Sequence, residues 1–187
     1  MIEIRKISDE TLPLLWTVED RRLDSERAAV RSKSGELELS YVALPGALWR
    51  VGNAEKNVVG DAADWLGANE RGAYLAWLDE ELAGQILLEA TGNNTASIRD
   101  IRVQMSMRRR GVGEAMCALA EDWARSKGLL GLTAETQDVN AGACQFFTKV
   151  GFQLGGVDTL RYAARSHQTI MASGLRESAL FFYKFLR

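Results

Sequence analysis

The chain has few residues of the kinds that build disulfide scaffolds and metal centres. It holds two cysteines and one histidine in 187 residues. Cys117 and Cys144 both lie in apolar helical patterns, so we expect buried, reduced thiols rather than a disulfide or a metal site. Because His167 is the only histidine, histidine-rich metal chemistry is excluded, and the sequence predicts no metal ligand set.

Long apolar runs and a strong net charge are also missing. No apolar segment is long enough to cross a bilayer, and Met1–Lys6 carries charges where a signal peptide would be apolar. The formal net charge is −2, so the surface lacks the overall basic footprint of a nucleic-acid-binding protein. We therefore predict no nucleic-acid or membrane partner and a cytoplasmic location.

The patterns of apolar residues predict one domain, residues 1–187, of α/β or α+β class with a single sizeable core. Strand patterns cover 2–8, 36–44, 73–78, 82–90, 97–105, 130–136, 157–163 and 179–186. Helical patterns cover 11–18, 61–69, 112–127 and the segment from Asn140 to Gly151. The charged segment 20–34 fits either a helix or a mobile loop, and the role of residues 20–60 stays open.

One of these strands breaks the alternation of its side chains. In 97–105, Ile98 points one way while Ile101 and Val103 point the other. A β-bulge between Ile98 and Ile101 would restore the alternation, and we predict one there.

The segment Arg108-Arg-Arg-Gly-Val-Gly113 stands where this strand gives way to the long helix 112–127. A helix N-terminus leaves backbone N–H groups without intrahelical partners, and its dipole favours an anion. Gly111 and Gly113 permit close approach of a ligand, and the three arginines add positive charge. The pattern predicts a pyrophosphate pocket. It lacks the Gly-Lys-Ser/Thr of a Walker loop and the third glycine of the dinucleotide fingerprint.

Three motifs then follow one another as in the GNAT superfamily of N-acetyltransferases: Ile98–Val103, Arg108–Gly113 and Asn140-x-x-Ala-x-x-Phe-Phe-x-x-x-Gly-Phe152. Glu135–Asn140, 157–163 and 178–183 are similar to the streptothricin acetyltransferases. The resemblance runs from about Ala73 to the C-terminus. It implies a GNAT-type domain with a central, mixed, mostly antiparallel, splayed sheet flanked by helices. It also implies acetyl-coenzyme A as the donor, a small-molecule primary amine such as a streptothricin-type antibiotic as the acceptor, and a homodimer.

The resemblance also assigns a site to particular residues. Those implied for acetyl-coenzyme A binding are Ile101, Arg102, Val103, Arg108, Arg109, Arg110, Gly111, Val112, Gly113, Glu114, Ala115, Asn140 and Phe147. The candidate catalytic residues are Asp100, Glu135 and Tyr162. Asp100 or Glu135 would deprotonate the amine or hold its charge, and Tyr162 would be a proton donor. Many members have a tyrosine at the position of Phe147 that protonates the departing thiolate, which phenylalanine cannot do.

Two other functions remain open from the sequence. One is a GNAT enzyme for another amine: a polyamine, an amino acid or a protein lysine. The other is a sensor that binds acyl-coenzyme A without turnover, since the tyrosine is missing at Phe147.

Overall fold

The structure is a computed structural model that describes residues 1–19, 21–51, 61–162 and 176–186. His167 and the end of the expected strand 157–163 lie outside these ranges. The chain divides into two compact units. The first contains residues 1–22, 49–132 and 185–187, and the second contains residues 23–48 and 133–184.

The elements of the described ranges are as follows. The strands are β1 (Ile2–Lys6), β2 (Arg21–Lys33), β3 (Glu36–Val51), β4 (Arg71–Leu78), β5 (Glu81–Ala90), β6 (Thr95–Val103), β7 (Gly131–Gln137), β8 (Gln153–Asp158) and β9 (Ala179–Phe185). The α-helices are α1 (Val112–Ser126) and α2 (Ala141–Lys149), and short 3-10 turns cover Leu12–Leu14, Ala62–Trp65 and Met105–Met107. The predicted α+β class with a mostly antiparallel sheet is confirmed.

In the first unit, four antiparallel strands lie in the order β1-β4-β5-β6. Helix α1 packs on these strands through a buried stripe that includes Val112, Met116, Ala120 and Trp123. A second apolar cluster joins the strands to the segments around the two N-terminal 3-10 turns. Its buried members are Ile7, Leu15, Trp65, Ala73, Leu75 and Leu87. Burial of such side chains is the main favourable term in folding.

The predicted β-bulge is confirmed. Strand β6 pairs Ile98 with Leu88 and Asp100 with Leu87, so Arg99 is the extra residue. Adjacent residues of β5 point to opposite faces, and their partners Ile98 and Asp100 therefore lie on opposite faces too. The bulge thus places Ile98 on one face and the polar side chain of Asp100 on the other.

In the second unit the strand order is β7-β9-β8, with β8 and β9 antiparallel, and β2 pairs with β3 in a separate two-stranded ribbon. Helix α2 packs on β8. Phe147 lies at the centre of an aromatic cluster, with ring centroids 5.6, 5.3 and 5.5 Å from those of Phe146, Phe152 and Phe182.

Four expected elements were wrong. The helix expected over 61–69 is only the 3-10 turn Ala62–Trp65, which Asp61 caps. Residues 11–18 form only a short 3-10 turn, because Trp16 adopts a left-handed backbone conformation (φ 76°) that an α-helix cannot contain. Within the segment 20–34, Arg21–Lys33 is neither helix nor mobile loop but the strand β2, which pairs with β3. Strand β8 ends at Asp158, whose carboxylate accepts the N–H groups of Leu160 and Arg161 and so turns the chain.

Candidate functional site

The N-terminus of α1 has the form of an anion site. Gly111 is the N-cap residue with φ 85°, and no side chain caps the helix. The first backbone N–H with an intrahelical acceptor is that of Ala115, which donates to the Gly111 carbonyl at 3.0 Å. The N–H groups of Val112 and Gly113 therefore have no intrahelical acceptor. They present two donors at the positive end of the helix dipole.

The three arginines before this helix have different partners. Arg108 Nε donates to the Val103 carbonyl at 3.0 Å and so ties the turn to the end of β6. Arg110 pairs with Asp79 at 3.3 Å. The N-terminal ammonium, and more weakly Arg110, lower the pKa of Asp79. Arg109 is exposed and left-handed (φ 63°), and no ion pair to another described residue occupies it. Arg109 is thus the guanidinium best placed to meet an added anion.

The strand before the turn carries a buried polar cluster. Asp100 Oδ1 accepts Arg102 Nε at 2.8 Å, and Asp100 Oδ2 accepts Gln85 Nε2 at 2.6 Å. The side chains of Arg102 and Asp100 are 6% and 12% exposed. Because Asp100 and its counter-ion are both buried, protonation of Asp100 would leave the Arg102 charge buried without a counter-ion, which favours a structural role over proton abstraction.

Glu135 and Tyr162, the other two candidate catalytic residues, are in contact in the second unit. The Tyr162 hydroxyl donates to Glu135 Oε1 at 2.8 Å. Arg161 donates to both oxygens of the same carboxylate, at 3.3 and 3.1 Å, and this carboxylate raises the pKa of Arg161. The Glu135 side chain is 32% exposed. A carboxylate that is open to solvent and bonded to a phenol can exchange a proton or hold a cation.

Asn140 and Phe147, two residues that the resemblance assigns to the donor site, have clear structural roles. The Asn140 side chain caps α2 by accepting the Ala143 N–H at 3.2 Å. Phe147 is 3% exposed in the aromatic cluster. Each residue therefore fixes α2, and any contact with a ligand comes in addition to that role.

Sequence reasoning missed a second buried carboxylate. Asp138, 5% exposed, pairs with Arg27 and accepts the Ser178 N–H at 3.1 Å. Its backbone carbonyl accepts the Ala28 N–H at 2.7 Å. It thereby joins β2, the segment after β7 and the segment before β9. No local pattern announces this role, because its partners are distant in sequence.

The described ranges contain no cluster of histidine, cysteine or carboxylate side chains that would hold a metal ion. They also contain no helix with the length and apolar character of a membrane span. Cys117 and Cys144 are free and buried, 2% and 0% exposed, which confirms the expected buried thiols.

An antiparallel sheet with a bulged strand, followed by a glycine turn and an uncapped helix, defines an α+β protein with a candidate anion site at that helix N-terminus. The chain matches the Acetyltransferase (GNAT) family over residues 41–152. It belongs to that family.

Two curated proteins are similar in sequence to part of this chain. A streptothricin acetyltransferase of Escherichia coli is 39% identical over 112 residues, 60% of this chain and 61% of that protein. Streptothricin acetyltransferase A of Bacillus subtilis (strain 168) is 39% identical over 93 residues, 50% of this chain and 54% of that protein. The chain thus matches between half and two thirds of the length of these curated relatives.

A solved structure is similar over the whole chain. It is that of a Bacillus anthracis str. Ames protein in complex with acetyl coenzyme A. The TM-score is 0.87 at 26% identity, and the match covers 100% of both chains.

Proposed function

We propose that this protein transfers an acetyl group from acetyl-coenzyme A to a primary amine of a streptothricin-type antibiotic. The observation that carries the proposal is the 39% identity to streptothricin acetyltransferases. The solved relative with acetyl coenzyme A supports the donor. Because the sequence match covers only part of each curated relative, the acceptor needs a direct test.

The residues at the start of α1 fit a diphosphate. The uncapped N–H groups of Val112 and Gly113 are donors, and the Arg109 guanidinium adds a charge. A side chain at Gly111 would have room, since an added Cβ would lie 3.6 Å from its nearest neighbours, but φ 85° strains any residue with a Cβ. The backbone of Ile101, Arg102 and Val103 would hold the pantetheine arm as an added strand would. When bound, acetyl-coenzyme A supplies the activated acetyl group.

Proton transfer is the chemical task left to the protein. A lysine-type amine has a pKa near ~10.4, so roughly one molecule in a few thousand is neutral at pH 7. We propose that Glu135 accepts the ammonium proton, directly or through water, and that its charge holds the cationic acceptor. Tyr162, already hydrogen-bonded to Glu135, is the proposed donor to the departing thiolate.

The burial of Phe147 favours one alternative, a protein that binds acyl-coenzyme A without turnover. Phe147 carries no hydroxyl and is enclosed by other rings, so it cannot protonate a thiolate. In this alternative, ligand binding would stabilise the fold and no thiol would be released.

An acceptor panel with detection of free thiol tests the proposal. Thiol release with streptothricin or nourseothricin, and none with spermidine, free lysine or a lysine peptide, is the expected result. Release with another amine alone would move the activity to that amine class. A rise in melting temperature with acetyl-coenzyme A but no release with any amine would establish the non-catalytic alternative. The homodimer and the cytoplasmic location expected from the sequence stay predictions.

A further inference from the structure

Four residues from three segments of the first unit form a closed ring of contacts. The Trp16 backbone N–H donates to Gln85 Oε1 at 2.9 Å, and Gln85 Nε2 donates to Asp100 Oδ2 at 2.6 Å. Asp100 Oδ1 accepts Arg102 Nε at 2.8 Å, and the Arg102 guanidinium carbon lies 5.4 Å from the centre of the Trp16 ring. This last contact returns to Trp16 and so completes the ring of contacts among the four residues.

Each member of this ring is costly for the fold. The Gln85 amide is fully buried, and a buried amide is unfavourable unless it is hydrogen-bonded. The buried pair of Asp100 and Arg102 contributes less stability than well-packed apolar side chains would. Trp16 has φ 76°, a region that bulky residues seldom occupy. Backbone strain of this kind concentrates at functional sites.

The ring of contacts binds strand β6 next to its bulge. Gln85 pairs with Arg102 across β5 and β6, and Asp100 follows the extra residue Arg99. Asp100 and Arg102 flank Ile101, so the side chains held by the ring fix the backbone of Ile101–Val103. The proposed function assigns that same backbone to the pantetheine arm of the donor.

From this geometry we infer that Gln85 is a positioning residue for acetyl transfer. Through Asp100 and Arg102 it holds the bulged strand in the geometry that aligns the donor, and through Trp16 it holds the preceding loop against that strand. This inference rests on the proposed function. It gives Asp100 a positioning role and leaves Glu135 as the base.

The first test replaces the amide with an apolar side chain of similar size. In Gln85→Leu, the Trp16 N–H and Asp100 Oδ2 lose their partner. We expect kcat to fall by about tenfold or more, because small misplacements of reacting groups cost that much. The Kd of acetyl-coenzyme A should change by less than about threefold, because the grip on the diphosphate at α1 is untouched. Gln153→Leu, at an exposed glutamine of β8, is the matched control and should leave both constants unchanged.

The second test separates positioning from general stability. In Gln85→Glu, the new carboxyl can replace the amide as donor to Asp100 only while it is protonated. The charged groups of the ring are Asp100 and Arg102, and burial beside Asp100 raises the pKa of the new carboxyl. We expect kcat to be near wild type at low pH and to fall as pH rises, relative to wild type and to Gln153→Glu. Hydrogen exchange should be faster at Trp16 and Ile101–Val103 in Gln85→Leu.

The outcomes distinguish this inference from the proposed function. A wild-type protein that releases no thiol with any amine overturns both, whether or not it binds acetyl-coenzyme A. Wild-type turnover with an unchanged kcat in Gln85→Leu, or with a flat pH difference in Gln85→Glu, overturns the inference alone. If Gln85→Leu does not fold, the pH profile of Gln85→Glu decides.

Discussion

The Tyr162 hydroxyl donates a 2.8 Å hydrogen bond to Glu135 across 27 positions of sequence. The pair joins the end of a turn to an exposed position on β7. A phenol bonded to a carboxylate can give up a proton while the carboxylate gains one. Asp100, the other carboxylate predicted from the sequence, lies in the first unit, where its side chain is 12% exposed and its counter-ion Arg102 is 6% exposed. The two acids therefore invite opposite predictions.

Substitution of the two carboxylates should separate catalysis from stability. In Glu135→Gln, kcat should fall by roughly a hundredfold because the proton acceptor is lost. Its melting temperature should hardly change, since an exposed ion pair contributes little. In Asp100→Asn, the buried Arg102 loses its counter-ion at a cost of about 3 kcal/mol, which is roughly 6–12 °C in melting temperature. Steady-state kinetics and thermal unfolding of both variants measure the contrast.

A reversal of this contrast would exchange the two roles. If Asp100→Asn melts like wild type and loses turnover while Glu135→Gln keeps it, Asp100 is the base. Glu135→Asp serves as the control, because it keeps the charge while shortening the reach to the amine.

Substitutions at Gly111 should separate backbone strain from charge. Asparagine tolerates φ 85° better than most residues, and an added Cβ has room there. Gly111→Asn should therefore fold and bind acetyl-coenzyme A. Gly111→Asp has nearly the same shape but places a negative charge at the phosphate site, so its Kd should be at least roughly tenfold higher.

We expect the stabilities of these two variants to follow a different order from their affinities. The negative charge of an aspartate at the N-cap interacts favourably with the positive end of the helix dipole. The melting temperature of Gly111→Asp should therefore be no lower than that of Gly111→Asn. Calorimetry and thermal unfolding give both quantities. Equal affinities in the two variants would place the phosphates away from this helix.

Local sequence predicted those elements that local forces determine. The helix from Val112 follows from its apolar stripe, and the bulge at Arg99 follows from the broken alternation around Ile98. The strands expected over 73–78 and 82–90 also form, and they pair across a turn at Asp79 and Glu80, both with positive φ. In each case the determining residues lie within one or two turns of each other.

The missed elements depend on distant partners. The charged sequence of β2 did not predict a strand, because this strand is stabilised by pairing with β3. The helix expected over 11–18 does not form, and the Trp16 backbone N–H donates instead to the side chain of Gln85, 69 positions away. The sequence likewise predicted three arginines at the phosphate site. It did not predict that Arg110 pairs with Asp79 and that Arg108 donates to the Val103 carbonyl.

Arg109 should contribute more to acetyl-coenzyme A binding than an arginine at the other end of the same helix. Arg109→Ala removes an exposed guanidinium beside the uncapped N–H groups, and binding should weaken about fivefold to tenfold at low salt. The loss should shrink at high ionic strength because screening already weakens the contact. Arg125→Ala removes the same charge near the C-terminus of α1, where it pairs with Glu121 and Asp122. Calorimetry at two salt concentrations should show little change for Arg125→Ala, and equal losses in the two variants would refute a specific contact.

Burial raises the pKa of the Cys144 thiol to about 12, with a smaller contribution from the charge of Asp138. An unfolded cysteine ionises at an ordinary pKa near 8.5. Above that pH the unfolded chain releases a proton that the folded protein retains, so the thiol destabilises the fold progressively as pH rises toward 12. Cys144→Ala should lower stability at pH 7 by leaving a small cavity, yet its free energy of unfolding should fall less steeply than that of wild type between pH 9 and 11. Urea unfolding across this range, with Cys117→Ala as the control for a second buried thiol, measures the slopes. Parallel slopes for wild type and Cys144→Ala would mean that the thiol ionises in the folded protein as readily as in the unfolded chain.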